Sequence, residues 1–150
     1  MKLAEALQER ADLQKRLSQV RGRLLNNAKV QEGEQPVEDP TQLLQEMDGM
    51  IIRLEELILR INMTNAHTTD IGESLTALLA KRECLQKKVG ILRDFLDRAS
   101  ELVERSSYTE IKIRSTVPVP EKRKELDALS KELRTLDSRI QQLNWLTDLQ

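Results

Sequence analysis

The sequence predicts an all-α protein: four long antiparallel helices of the coiled-coil or four-helix-bundle type, with a minor β element at residues 108–117. Three observations carry this prediction. Leucines recur every three or four positions over most of the chain, the spacing of one helix face. Only 2% of residues are aromatic while 33% are charged, which suits extended helices better than a compact core filled by rings. Five glycines and four prolines leave few breakpoints in 150 residues. That length suits a single helical domain, residues 1–150.

The first helix is expected over residues 2–28. Leu3, Ala6, Leu13, Leu17, Val20 and Leu24 make a narrow heptad seam with Arg10 intruding, the pattern of a coiled-coil arm. Asn26 and Asn27, weak helix formers, end it. The stretch "VQEGEQPVED", residues 30–39, is a connection because Gly33, Pro36 and its acids oppose helix. Asp39 and Pro40 then open the second helix, expected over 40–65. Asp39 can cap free backbone N–H groups, Pro40 fits the first helical position, and Gln42 completes a capping box.

The main stripe of that helix is Leu43, Met47, Met50, Leu54, Leu57 and Ile61, widened by Leu44, Ile51 and Ile58. Ile52 and Leu59 lie elsewhere: at about 100° per residue they project about 140–160° away from Leu54. They form a second, short stripe, and a helix apolar on two sides is usually buried on two sides. "AHTTDIGES" is the next connection, with Asp70 or Ser74 able to cap a third helix expected over 74–106. Its main stripe is Leu75, Leu78, Leu85, Val89, Leu92, Leu96, Ala99 and Val103, interrupted by Arg82. Cys84, Ile91, Phe95 and Leu102 extend the apolar surface along one flank. The fourth helix, expected over 120–146, begins at Pro120 and carries a strict seam of Leu126, Leu129, Leu133, Leu136, Ile140 and Leu143. The broad second and third helices should be central, within the monomer or within a homo-oligomer. Ile52, Leu59, Ile91, Phe95 and Leu102 are the candidate oligomer interface.

The third connection breaks the helical pattern. In "SYTEIKIRSTVPVP", residues 107–120, Ile111, Ile113, Val117 and Val119 alternate with Glu110, Lys112, Arg114 and Thr116, the period of a strand. Its partner is either the acidic connection at 30–39 or its own copy in a second subunit. Pro118 would end the pairing because it lacks an N–H. Ile111 and Ile113 are expected to face the bundle end.

Chemistry is sparse. His67 is the sole histidine, so a histidine-built metal centre lacks ligands, and a surface or loop-packing role is expected. Cys84 is the sole cysteine; it forms no internal disulfide, reads as a small buried hydrophobe, and has no resolving partner for redox work. Asn62-Met63-Thr64 matches a glycosylation sequon but reads better as short polar side chains bonding carbonyls near a helix end. Glu32, Glu34 and Glu38 are the metal candidates, against the alternative of a solvated loop. No catalytic or cofactor-binding residue emerges, and no cofactor is expected.

A net charge of −1 disfavours a dedicated nucleic-acid binder. Lys81, Arg82, Lys87, Lys88 and Arg93, and Lys122, Arg123 and Lys124, read as solvated or paired faces, with no aromatics interleaved for base stacking. "MKLAEALQER" has no apolar signal-peptide core, and the apolar run from Met50 to Ile61 is interrupted by Arg53, Glu55, Glu56 and Arg60. No membrane span is expected, and a reducing, cytoplasmic location is.

The ordered set "MKLAEALQERADLQKRL", "VQEGEQPVEDP", "RINMTN", "EIKIRSTV" and "LNW" resembles a small bacterial family of uncharacterised helical coiled-coil proteins, some members of which are labelled septicolysin. The resemblance covers nearly the whole chain and implies a soluble helical protein with no established activity and no catalytic residues to transfer. The label implies a cytolysin, which would need a secretion signal, a spanning helix or a run of amphipathic strands. By architecture alone, the first hairpin is similar to the tRNA-binding arm of seryl-tRNA synthetases, and helices joined to short strands are similar to prefoldin chaperones. The expected function is a non-enzymatic, self-assembling scaffold or interaction protein. The alternatives are an RNA- or ribosome-associated helical arm, and a metal-dependent enzyme whose site forms between subunits.

Overall fold

The computed structural model describes residues 1–102 and 111–150. It is mainly α-helical with a minor β element. In chain order the elements are α1 (Leu3–Asn26), α2 (Pro40–His67), β1 (Thr69–Asp70), β2 (Glu73–Ser74), α3 (Leu75–Ser100) and α4 (Val119–Leu146). They divide into two compact units: residues 1–74 with 142–150, and residues 75–141.

The first unit is built on an antiparallel hairpin of α1 and α2. Leu3, Ala6, Leu13 and Val20 of α1 are buried, and so are Leu43, Met50, Leu57, Ile61 and Thr64 of α2, one stripe from each helix. Ion pairs fix the direction: Arg53 meets Glu9, Arg16 meets Glu46, and Arg23 meets Glu38 and Glu46, so a step forward on α1 matches a step back on α2. The turn between the helices is pinned by side chains. Asn27 is buried with its polar atoms satisfied: its Nδ2 donates to the Arg23 carbonyl at 2.9 Å and its Oδ1 accepts the Glu38 N–H at 3.0 Å. Gly33 sits at φ +86°, which only glycine adopts without cost, in a turn closed by the Glu34 N–H on the Gln31 carbonyl. Asp39 begins α2 as expected, its Oδ1 accepting the Thr41 N–H at 2.9 Å with Pro40 in the first helical turn.

Residues 142–150 complete this unit. The Leu3 N–H donates to the Thr147 carbonyl and the Leu149 N–H to the Met1 carbonyl, both at 2.9 Å, around a bridge between Lys2 and Asp148. Thr64 Oγ1 donates to the Arg60 carbonyl at 2.8 Å and accepts the Gln150 N–H at 3.0 Å, while Arg60 Nε donates to the main-chain oxygen of Gln150. Thr64 therefore does bond a helical carbonyl, as its position near the helix end suggests, and it also holds a distant segment.

In the second unit α3 and α4 run antiparallel around Val89, Leu96 and Leu126, with Leu85, Leu92, Val117, Leu129 and Leu133 packed against them. Arg82, which interrupts the apolar stripe of α3, reaches Asp137 on α4 at 2.9 Å, and Arg123 on α4 reaches Asp97 on α3 at 2.9 Å. The intruding cation is thus explained by an acid on the facing helix.

The minor β element is not where the alternation placed it. It is the two-residue hairpin β1–β2, paired Thr69 with Ser74 and Asp70 with Glu73. Its turn holds Ile71 at φ +48° and Gly72 at φ +82°. Residues 111–118 are irregular, 108–110 lie outside the described residues, and the connection at 28–39 carries no strand either. Alternation alone does not make a strand, because the backbone groups need a neighbouring ladder. This segment is fixed instead by the Ser115 hydroxyl, which donates to the Ala99 carbonyl, and by Val117, half-buried against the core of the unit. Ile111 and Ile113 are exposed rather than turned inward. Cys84 is also exposed, which corrects its reading as a buried hydrophobe: it lies on the outer flank of α3 with Ile91.

Candidate functional site

The feature left without a structural role is apolar surface. On α2 the buried stripe takes one side of the helix. The opposite side exposes Leu44, Ile51, Ile52, Ile58, Leu59 and Met63. At about 100° per residue these six fall within one arc of about 140°. Ile52 is 69% and Leu59 62% exposed, although each would contribute roughly 1.5–3 kcal/mol if fully buried. Ile51, Leu54, Glu55, Ile58, Leu59 and Asn62 border a shallow open groove of about 460 Å³ along this face.

Charge is distributed unevenly around the face. The acids beside it are engaged: Glu56 meets Arg53 at 2.8 Å and Arg60 at 3.3 Å, and Glu46 lies near Arg16 and Arg23. Arg53 also grips Glu9 through Nε and Nη2, and these hydrogen bonds hold the Glu9 carboxyl below its ordinary pKa. The hydrogen bond from Arg53 lowers Glu56 in the same way. Asp48 and Glu55, which lie within the apolar arc itself, form no ion pair among the described residues.

The second unit carries a different surface. Ile91, 71% exposed, and Phe95 stand on the outer flank of α3, with Leu102 exposed just beyond the end of the helix. Lys88, Ile91, Leu92, Phe95, Lys122, Glu125 and Leu129 line an open groove of about 640 Å³ between α3 and α4. Lys122 is engaged with Glu125 at 3.2 Å, whereas Lys88 has no ion-pair partner among the described residues. The groove is mainly apolar, with Lys88 and the Lys122–Glu125 pair along its edges.

The five candidate interface residues are therefore all exposed, Ile52 and Leu59 in the first unit and Ile91, Phe95 and Leu102 in the second. Leu44, Ile51 and Ile58 belong to the exposed α2 face as well, with Met63, and so do not widen the buried stripe. Trp145 and Leu146 at the end of α4 are further exposed apolar residues that heptad reasoning passed over. Their signal was adjacency: two large apolar residues directly after the seam ends cannot both lie on it.

The metal candidates do not gather. Glu38 is gripped by Arg23, whose hydrogen bonds lower its pKa, and Glu32 and Glu34 are exposed. Among the described residues no group of three or more His, Cys, Asp or Glu side chains is placed to hold a metal ion. His67 Nδ1 lies 2.9 Å from the Met63 carbonyl in the last turn of α2. Among the described residues no helix is long and apolar enough to cross a membrane.

A model of a family of unknown function (DUF6847) matches residues 10–149. Among solved structures the chain is similar to a functionally unknown conserved protein from Corynebacterium diphtheriae, at 42% identity and a TM-score of 0.94, covering 100% of this chain and 99% of that one. No curated protein matches it.

Proposed function

This chain belongs to that family of unknown function, and we propose that it is a non-enzymatic protein that assembles with copies of itself, a scaffold or interaction protein. The observation that carries the reading is the exposed arc on α2, six large apolar side chains on a helix whose other side already packs against α1. Scattered exposed leucines need no explanation, but a contiguous stripe marks an interaction surface. The seven-residue repeats of Ile52 with Leu59, and of Leu44, Ile51 and Ile58, suit coiled-coil packing against another helix. Sedimentation of the purified protein in dilute solution tests it. The wild type should exceed the monomer mass, and Ile52→Glu with Leu59→Glu should shift it towards monomer while helicity is kept. Unchanged assembly would remove these residues from the interface.

The other readings have narrower support. An RNA- or ribosome-associated helical arm would use Lys81, Lys88 and Arg93 on α3, which have no ion-pair partner among the described residues. Co-purified RNA released steeply by salt would favour it. A metal-dependent enzyme built between subunits would have to draw Glu38 away from Arg23. The septicolysin label would make the protein a cytolysin, and leakage of dye from lipid vesicles tests that directly. A cytoplasmic location accords with an exposed lone cysteine, which a reducing compartment keeps as a thiol.

A further inference from the structure

We propose that copies of this chain join head to tail, the exposed apolar face of α2 in one copy seating on the groove of α3 and α4 in the next. The inference rests on the self-assembly reading above and specifies its mode. The two surfaces have the same apolar character and opposite charge. The α2 face encloses Asp48 and Glu55, neither of which has an ion partner among the described residues. The groove presents Ile91 and Phe95 beside Lys88, which also lacks one, while Lys122 on its other edge is taken up by Glu125, so Lys88 is its available base.

Charge decides between the possible pairings. Two α2 faces related by a two-fold axis would bury Asp48 and Glu55 of one copy near the same acids of the other. Two grooves brought together would do the same to Lys88. Like charges set against each other in a contact are strongly unfavourable, and complementary ones fix register and partner. Only the α2-to-groove contact covers both apolar surfaces and gives the unpaired acids a base. Such a contact uses different surfaces on the two partners, so it repeats from copy to copy until it closes as a ring or continues as a filament.

Two variants separate this mode from the alternatives. Ile52→Gln with Leu59→Gln removes the apolar side chains of the α2 face, and Ile91→Gln with Phe95→Gln removes those of the groove, neither altering charge. Each variant alone should be monomeric by sedimentation across a concentration series, and an equimolar mixture should give a 1:1 dimer, because one intact face meets one intact groove. As a second measurement, Glu55→Lys should weaken wild-type assembly by about tenfold in dissociation constant, and adding Lys88→Glu to the same chain should restore it. If one double variant alone keeps the wild-type mass, or the mixture stays monomeric, or Lys88→Glu fails to rescue Glu55→Lys, the head-to-tail contact is wrong. A wild type that is itself monomeric would instead overturn the self-assembly reading beneath it.

Discussion

Arg53 shows how much of the α1–α2 hairpin depends on single side chains. Its guanidinium places Nε 2.7 Å from Glu9 Oε1 and Nη2 2.9 Å from Glu9 Oε2, a two-point grip that matches the planar fork to the carboxylate. The hydrogen bond from Arg53 lowers the Glu9 pKa below its ordinary 4.5, so the charged form is favoured in the folded state. The sign follows: this stabilisation is full above the ordinary carboxylate pKa and is lost as pH falls through the lower native value. Glu9→Gln should lower the melting temperature at pH 7 by about 1–3 °C, and the difference from wild type should fade as the pH drops below 4. A gap that persists unchanged at pH 3 would mean the residue acts by packing. Residues of local consequence were legible in the sequence: Asp39 caps because a short acidic side chain before proline has little else to do. Thr64 and Asn27 were only half legible, since each bonds its own helix and also a second segment, Gln150 for Thr64 and Glu38 across the turn for Asn27.

Among the elements, the hairpin at Thr69–Ser74 is the one whose conformation runs against local preference. Ile71 is 95% exposed and held at φ +48°, a left-handed conformation that β-branched residues avoid. Nothing buried compensates for it, so Ile71→Asn should stabilise the protein by about 1 kcal/mol, read as a melting temperature raised by about 2–4 °C. A lower melting temperature would show that the isoleucine makes a contact that relieves its strain. The same feature hid the hairpin from sequence reading. Asparagine or aspartate before glycine signals a two-residue turn, whereas Ile71 before Gly72 does not, and two-residue strands are too short to alternate. The opposite error occurred at 111–117, where alternation was present and no described strand formed. On α2 the wheel separated Ile52 and Leu59 from the buried stripe. It could not centre that stripe, because the neighbours of α2, the narrow seam of α1 and the segment 142–150, decide how much of it is covered; Leu44, Ile51 and Ile58 are left exposed.

In the molecule taken whole, the pairing of residues 1–3 with 147–149 was invisible to any local pattern, since it joins short segments from opposite ends of the sequence. It also bears on how the two units unfold. Helix α4 is continuous from Val119 to Leu146, yet its residues up to 141 belong to the second unit and those from 142 to the first. A helix is cooperative along its length, so loss of one unit frays the rod that serves the other. We propose on this ground that the chain is one domain. Leu57→Ala in the first unit and Leu96→Ala in the second, both fully buried, should each cost about 2–5 kcal/mol and each move a single unfolding transition. Two separate transitions, each moved by one variant, would show two domains.

Self-assembly through exposed helix faces can be read from sedimentation equilibrium of the wild-type chain beside Ile52→Glu with Leu59→Glu. The wild type should have a mass that is a multiple of the 17.3 kDa chain, and the variant should fall towards one chain with its helical content unchanged. A wild type that sediments as 17.3 kDa across the concentration range would contradict self-assembly.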